Sequence, residues 1–267
     1  MTVFQALVLG VVQGLAEFLP ISSSAHLALA PWLFGWPEPG LGFDVALHVG
    51  TLVAVLVYFR REWVRLLAAC WRMLATRRIE TVEQRRVLHL VIATIPGAVG
   101  GVLLEHYAET TFRAPTLIAI ALIVLGILLW LVDTVSAEDR PLRTMRWYDS
   151  LLIGLAQVLA LVPGVSRSGG TITAGLALRF DRDSAATFSF LMSMPIIAGA
   201  AVMEVPRVLR QVGISTPLVI GVLAAAVSGW AAIAILLRYV RRNSYGVFAA
   251  YRILLGAVIL LVVYLRA

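Results

Sequence analysis

At 267 residues, with 60% hydrophobic and only 14% charged side chains, the chain is too apolar for an ordinary soluble domain, where about a quarter is charged. Its formal net charge of +7 comes from 22 arginines and no lysine, a balance that suits an anionic membrane surface and cytoplasmic loops and gives no sign of nucleic-acid binding. The single cysteine, Cys70, excludes an intrachain disulfide, and no C-x-x-C metal pattern occurs.

In chain order, residues 3–34 form an apolar stretch broken near its middle by Pro, Gly and Ser. No cleavable leader is expected there, because the stretch lacks a charged start and runs into polar residues without a small-residue cleavage site. Proline cannot continue a helix interior, and broken backbone at membrane depth survives only against protein or a wet cavity. We therefore read 3–34 as a re-entrant helical hairpin, and 147–178, interrupted in the same way, as a second one. Six stretches approach the roughly 20 apolar residues that cross a hydrocarbon core: 43–59, 87–104, 114–132, 184–203, 215–237 and 246–265. Between the first two, Trp63, Leu66, Leu67, Cys70, Trp71 and Leu74 recur at helical spacing with arginines opposite, which describes a helix lying in the interface. The expected fold is all-α and polytopic: six transmembrane helices plus two re-entrant hairpins in one membrane domain over 1–267.

Arginines set the orientation. The 60–86 connection carries eight (Arg60, Arg61, Arg65, Arg72, Arg77, Arg78, Arg85 and Arg86) and is placed in the cytoplasm. Alternation then puts Arg140, Arg143, Arg146, Arg179, Arg182, Arg238, Arg241 and Arg242 on the same side. It leaves Arg113, Arg207, Arg210, Arg266 and Arg252 outside. Both termini come out external, so the two hairpins enter from opposite faces. Glu204, Arg207 and Arg210 read as a solvated loop, Trp32, Trp36 and Trp147 as interfacial belts, and His89 and His106 as residues without a role.

The hairpins resemble each other. GVVQGLA (10–16) shares Gly, Gln, Leu and Ala with GLAQVLA (154–160) at the same offsets, and each is followed by a proline and a serine cluster. Opposite entry makes this an inverted repeat, 1–133 against 147–267, with a shared site where the tips meet near mid-membrane.

The polar chemistry of the chain lies in those tips. EFLPISSSAH (17–26) places Glu17 one helical turn after Gln13, with Ser22, Ser23 and His26 beyond Pro20. Ionisable groups inside membrane segments are costly and need a partner or a function. Serine clusters are often only helix caps, so this stretch alone leaves the choice open. PGVSRSGGT (163–171) adds glycines (Gly164, Gly169, Gly170) that let backbone amides approach an anion, hydroxyls (Ser166, Ser168, Thr171) and the guanidinium fork of Arg167. An Arg167–Glu17 ion pair is the structural alternative, but it would need neither the glycines nor the hydroxyls. Together the tips offer an acid or base, a hydroxyl and a phosphate clamp, a set suited to phosphoryl transfer on a lipid-borne phosphate. His48, within span 43–59, lies at the same general depth; it is read as an ordinary packed histidine with a hydrogen bond, with a place lining the site as the alternative.

The pattern (E/Q)xxxE-x-x-P-x-S-S-x-x-H followed by PGxSRSG resembles the undecaprenyl-diphosphate phosphatase family, the bacitracin-resistance phosphatases, from end to end of the chain. The resemblance implies hydrolysis of undecaprenyl diphosphate to the monophosphate in the bacterial inner membrane, recycling the carrier lipid of peptidoglycan synthesis, at a site open towards the periplasm. It implies Glu17, Ser23, His26 and Arg167 as catalytic residues. Gln13, Ser22, Gly164, Ser166, Ser168, Gly169 and Thr171 would surround the substrate. Ser23 with His26 is the expected nucleophile pair, with His26 itself or a Glu17-activated water as the other nucleophiles left open. The family's divalent ion implies Mg²⁺ or Ca²⁺, with Glu17 as a possible ligand. Because Gln13 stands where many members have glutamate, the diphosphate would supply most of the ion's ligands. No organic cofactor is expected; membrane lipids are expected neighbours, and a homodimer is possible on this sequence. The competing reading is a lipid-phosphate flippase built on the same inverted repeat.

Overall fold

A computed structural model of the chain describes residues 1–37, 39–109, 112, 114–211 and 213–266. Within that range the side chains of 41, 105–109, 207–209 and 211 are not described, so Arg113, Arg207 and His106 fall outside the described residues. Among the described residues eleven α-helices follow in order: α1 (Val3–Phe18), α2 (Ser23–Phe34), α3 (Leu41–Tyr58), α4 (Arg60–Thr76), α5 (Val82–Glu109), α6 (Pro115–Val135), α7 (Trp147–Leu159), α8 (Arg167–Ala177), α9 (Arg182–Gln211), α10 (Thr216–Val240) and α11 (Gly246–Arg266). Among the described residues there is no strand, only an isolated bridge between Arg140 and Phe180.

Five of these helices, α5, α6, α9, α10 and α11, are individually long and apolar enough to cross a membrane. The sixth crossing is α3, which turns through 83° at Phe59 into α4. That bend has a cause in sequence: the apolar run ends at Phe59, and Arg60, Arg61 and Arg65 follow. The α4 helix buries Trp63, Leu66 and Ala69 and leaves Leu67, Trp71 and Leu74 uncovered, the arrangement of a helix lying along an interface. The chain is a multi-pass membrane protein.

The two broken stretches fold as helix–turn–helix hairpins, α1–α2 over 3–34 and α7–α8 over 147–177. None of the four helices exceeds 16 residues. At 1.5 Å per residue such helices fall short of the roughly 30 Å hydrocarbon core, so each hairpin turns back inside the protein. One expectation fails at α9. The span ending at 203 continues to Gln211, so Glu204 and Arg210 sit on a helix and not in a loop.

Small residues let the hairpins pack tightly. α1 lies along α10, where a Cβ on Gly10 would come within 2.3 Å of the Gly221 carbonyl oxygen. α7 lies along α5 in the same manner, and a Cβ on Gly154 would sit 2.5 Å from the Ala93 carbonyl oxygen. Close backbone approach through glycine replaces the hydrophobic drive that is missing between helices in lipid. Gly10 and Gly154 are the aligned glycines of the two hairpins, so both perform the same packing task.

At the end of the bundle where α6 stops and α9 and α11 start, buried polar contacts tie the helices together. Asp133 accepts from the Arg182 guanidinium at 2.7 Å and from the Tyr245 backbone amide at 2.8 Å. Arg182 also reaches Glu138 at 2.7 Å. Nearby, Arg140 pairs with the fully buried Asp149 at 2.6 Å and donates to the Leu178 carbonyl.

Candidate active site

The tips of the two hairpins meet. Gly164 donates its backbone amide to Ser22 Oγ at 3.1 Å, and Ser168 Oγ donates to the Leu19 carbonyl at 3.1 Å. Residues 144 positions apart occupy equivalent places: 10 and 154, 13 and 157, 22 and 166, 24 and 168. Ser22 caps α2 at φ 74° and Ser166 caps α8 at φ 71°. Each cap hydroxyl accepts an amide three residues on, Ala25 in the first tip and Gly169 in the second. Each also lies against the serine two residues later, Ser22 with Ser24 at 3.3 Å and Ser166 with Ser168 at 3.2 Å.

A positive φ in a residue with a side chain costs about 1–3 kcal/mol and persists only where surroundings enforce it. Here the strained turn brings the first amides of both α2 and α8 to the junction. The cap hydroxyls take the Ala25 and Gly169 amides, while the earlier N–H groups of each helix have no partner within it and carry the partial positive charge of a helix N-terminus.

Glu17 lies at the centre of the junction and is only 6% exposed. Its Oε1 accepts from Arg167 Nη2 at 2.7 Å, which joins the two hairpins by an ion pair. Its Oε2 accepts from Ser23 Oγ at 2.7 Å and from Gln13 Nε2 at 3.0 Å. Arg167 is held from the far side by the Ser189 carbonyl on α9 at 3.0 Å, while Thr171 meets the Ser189 hydroxyl at 2.7 Å.

Five of the sequence-derived residues, Gln13, Glu17, Ser22, Ser23 and Arg167, therefore converge, and Gly164, Ser166, Ser168, Gly169 and Thr171 line the second tip. The expected Ser23–His26 pair does not form. The hydroxyl of Ser23 is given to Glu17, and both ring nitrogens of His26 are engaged elsewhere. His26 Nδ1 lies 2.7 Å from the Ser22 carbonyl oxygen and must donate to it, so Nε2 of the neutral ring accepts from the Tyr251 hydroxyl at 2.7 Å. The two rings are stacked, with centroids 5.8 Å apart. The reason is local geometry: Ser23 and His26 share the first turn of α2, but Ser23 turns back across the Pro20 break to α1 while His26 faces α11.

Two contributors, Ser189 and Arg252, were given no place in the site from sequence, and a third, His48, had a place there only as the less favoured alternative. His48, read as a packing residue, puts Nε2 3.5 Å from Glu17 Oε2, its Nδ1 being committed to the Asp44 carbonyl at 2.7 Å. Ser189 acts mainly through its backbone, which sequence patterns do not register. Arg252 is fully buried inside α11, not at the outer face where the arginine count placed it. An arginine amid an apolar span was the available signal.

The donor set fits a divalent ion only in part. Among the described residues no three His, Cys, Asp or Glu side chains form a metal-binding group. Gln13 Oε1, however, is buried without a hydrogen-bond partner beside the Glu17 carboxylate, so the pair offers two oxygens to an ion whose remaining ligands come from elsewhere.

The profile of the family described as bacitracin resistance protein BacA matches residues 6–258. The chain is 61% identical over 259 residues to an undecaprenyl-diphosphatase of Gemmatimonas aurantiaca, covering 97% of both proteins. It is 51% identical over 267 residues to the undecaprenyl-diphosphatase of Moorella thermoacetica, with both chains fully covered, and 47% identical over 270 residues to that of Geobacter sulfurreducens.

Proposed function

This chain belongs to the family of the bacitracin resistance protein BacA, and we propose on that premise that it hydrolyses undecaprenyl diphosphate to undecaprenyl phosphate and inorganic phosphate. The observation that carries the reading is the Glu17 carboxylate holding the Ser23 hydroxyl and the Arg167 guanidinium at once. Transport of a lipid phosphate would need the arginine and the amides, but it would not need a hydroxyl poised on a base.

The reaction follows from what each group can do. The Arg167 fork and the first amides of α8 take the oxygens of the terminal phosphate, and the α2 amides face it from the other hairpin. Arg167 then exchanges part of its bond to Glu17 for the substrate, which frees the carboxylate to act as a base. Ser23 Oγ attacks the terminal phosphorus, its proton passing to Glu17 Oε2, and the bond to the bridging oxygen breaks with undecaprenyl phosphate leaving. Glu17 passes that proton to the departing phosphate, and the restored carboxylate deprotonates the water that cleaves the phosphoserine, releasing inorganic phosphate and returning a proton to Ser23. His48, when protonated, steadies the Glu17 charge. His26 orients the start of α2 through its bond to the Ser22 carbonyl. Mg²⁺ or Ca²⁺ carried by the diphosphate would be held by Glu17 and Gln13 Oε1 and would neutralise charge on the phosphates.

The site works in the bacterial inner membrane and opens towards the periplasm, the placement that the family resemblance implies; the arginine bias orients the spans with the 60–86 connection in the cytoplasm. Bound membrane lipids and a homodimer are compatible with this placement.

Purified protein supplied with undecaprenyl diphosphate should release phosphate, with Arg167→Ala and Ser23→Ala reduced at least 100-fold, the scale of losing one transition-state donor. Acid-stable label trapped on Ser23 supports the serine route. Acid-labile label on His26 would replace it with a phosphohistidine. Full activity in both variants would defeat the enzyme reading.

A further inference from the structure

Arg252 is a cation in the interior of a membrane-crossing helix, fully buried, and among the described residues its guanidinium has no carboxylate partner. Its Nη1 donates to the Pro20 carbonyl at 3.3 Å, and Nη2 donates to the Gly164 and Val165 carbonyls, each at 2.8 Å. Pro20 lies in the first tip and the other two in the second, and Pro20 and Gly164 are 144 positions apart, equivalent places in the two hairpins. One planar fork therefore clamps both hairpins at matching points.

The clamp lies directly beneath the strained caps. Pro20 is two residues before Ser22, and the Val165 carbonyl belongs to the peptide that leads into Ser166, the two caps with positive φ. Immediately beyond these caps come Ser23 and Arg167, one from each hairpin. The fork also lies close against the second tip, where only a glycine leaves it room: a Cβ on Gly169 would come within 2.4 Å of Arg252 Nη1. The neighbouring Tyr251 bonds His26, so consecutive residues of α11 hold the turn and the second helix of the first hairpin.

Burying a guanidinium in hydrocarbon surroundings without a carboxylate is costly, and a point-like ammonium cannot span carbonyls on two segments as a planar fork does. We infer that Arg252 is a positioning residue for the hydrolysis, clamping the two hairpin tips so that Ser23 and Arg167 face the same phosphate. This rests on the diphosphatase reading. Arg252 itself touches no reacting atom; it acts through backbone carbonyls, so its loss should misplace the attacking and binding groups relative to each other. A displacement of about 1 Å in such a constellation costs about 100-fold in rate.

The test compares Arg252→Met and Arg252→Lys with wild type in phosphate release from undecaprenyl diphosphate, alongside hydrogen exchange of the backbone amides. Arg252→Met should lower kcat about 100-fold with little change in KM. Arg252→Lys should recover only part of that loss. In both, amide exchange should quicken at residues 19–26 and 163–170 while the spans away from the tips keep wild-type protection. Should Arg252→Met fail to fold, Arg252→Lys alone decides: wild-type kcat and tip exchange in a folded Lys variant would overturn the clamp. A rise in KM at unchanged kcat would also overturn it, since Arg252 would then be binding substrate directly. If wild type itself releases no phosphate, the diphosphatase reading fails, and tip-confined exchange in the variants still tests the clamp.

Discussion

Glu17 is asked to hold a hydroxyl proton, an arginine and an amide at once, and its neighbours decide which task dominates. Glu17→Gln preserves volume but removes the acceptor for the Ser23 proton. We expect kcat for phosphate release to fall by about 10²–10⁴, the usual worth of a positioned base, in protein that elutes like wild type. Gln13 bears on a different property. Replacing it with glutamate supplies a second carboxylate beside Glu17. Gln13→Glu should lower the Mg²⁺ concentration needed for half-maximal activity after chelator treatment, because hard cations favour charged oxygen ligands. An unchanged metal requirement would place the ion away from this pair.

At the level of elements, the hairpins depend on glycine where other helices depend on side-chain interlock. Gly10→Val and Gly154→Val each drive carbon against a backbone carbonyl of the facing helix, which cannot yield as a side-chain end can. Each should destabilise by about 1–3 kcal/mol, read as a fall in the thermal unfolding midpoint. Similar losses at the two positions would show that the two halves share one packing rule. The Asp133 contacts bind three helices at their ends. Asp133 is 3% exposed and Arg182 is 23% exposed. Asp133→Ala leaves the buried Tyr245 amide without its acceptor and Arg182 with Glu138 as its carboxylate partner, and should cost about 1–3 kcal/mol in the same measurement.

For the whole molecule, the testable property is which way it faces. The arginine-rich 60–86 connection and the 215–216 turn should lie on opposite sides of the membrane. In a Cys70→Ala background, a membrane-impermeant maleimide applied to intact spheroplasts should label Ser215→Cys and spare Arg78→Cys. The opposite pattern would place the diphosphate site towards the cytoplasm and remove its access to periplasmic substrate.

Much of this architecture is legible in the amino-acid order. Apolar run length and proline breaks mark the spans and the hairpins, because a hydrocarbon core imposes a length and a missing N–H imposes a stop. The recurrence of G-x-x-Q and the serine clusters foretells two matching tips. The convergence of Gln13, Glu17 and Ser23 with Arg167 could be anticipated because buried charge must find its counterpart. The partner of each group could not. Whether Ser23 turns to His26 or to Glu17 depends on the direction of side chains across a chain break, which spacing along one helix does not encode. His48 and Arg252 reach the junction from spans distant in sequence, and only the packing of α3 and α11 against the tips brings them there. Sequence alone determined that this is a membrane protein with a polar site in two hairpins. The tertiary structure decided which atoms within that site hold one another, because those contacts depend on how separate helices pack.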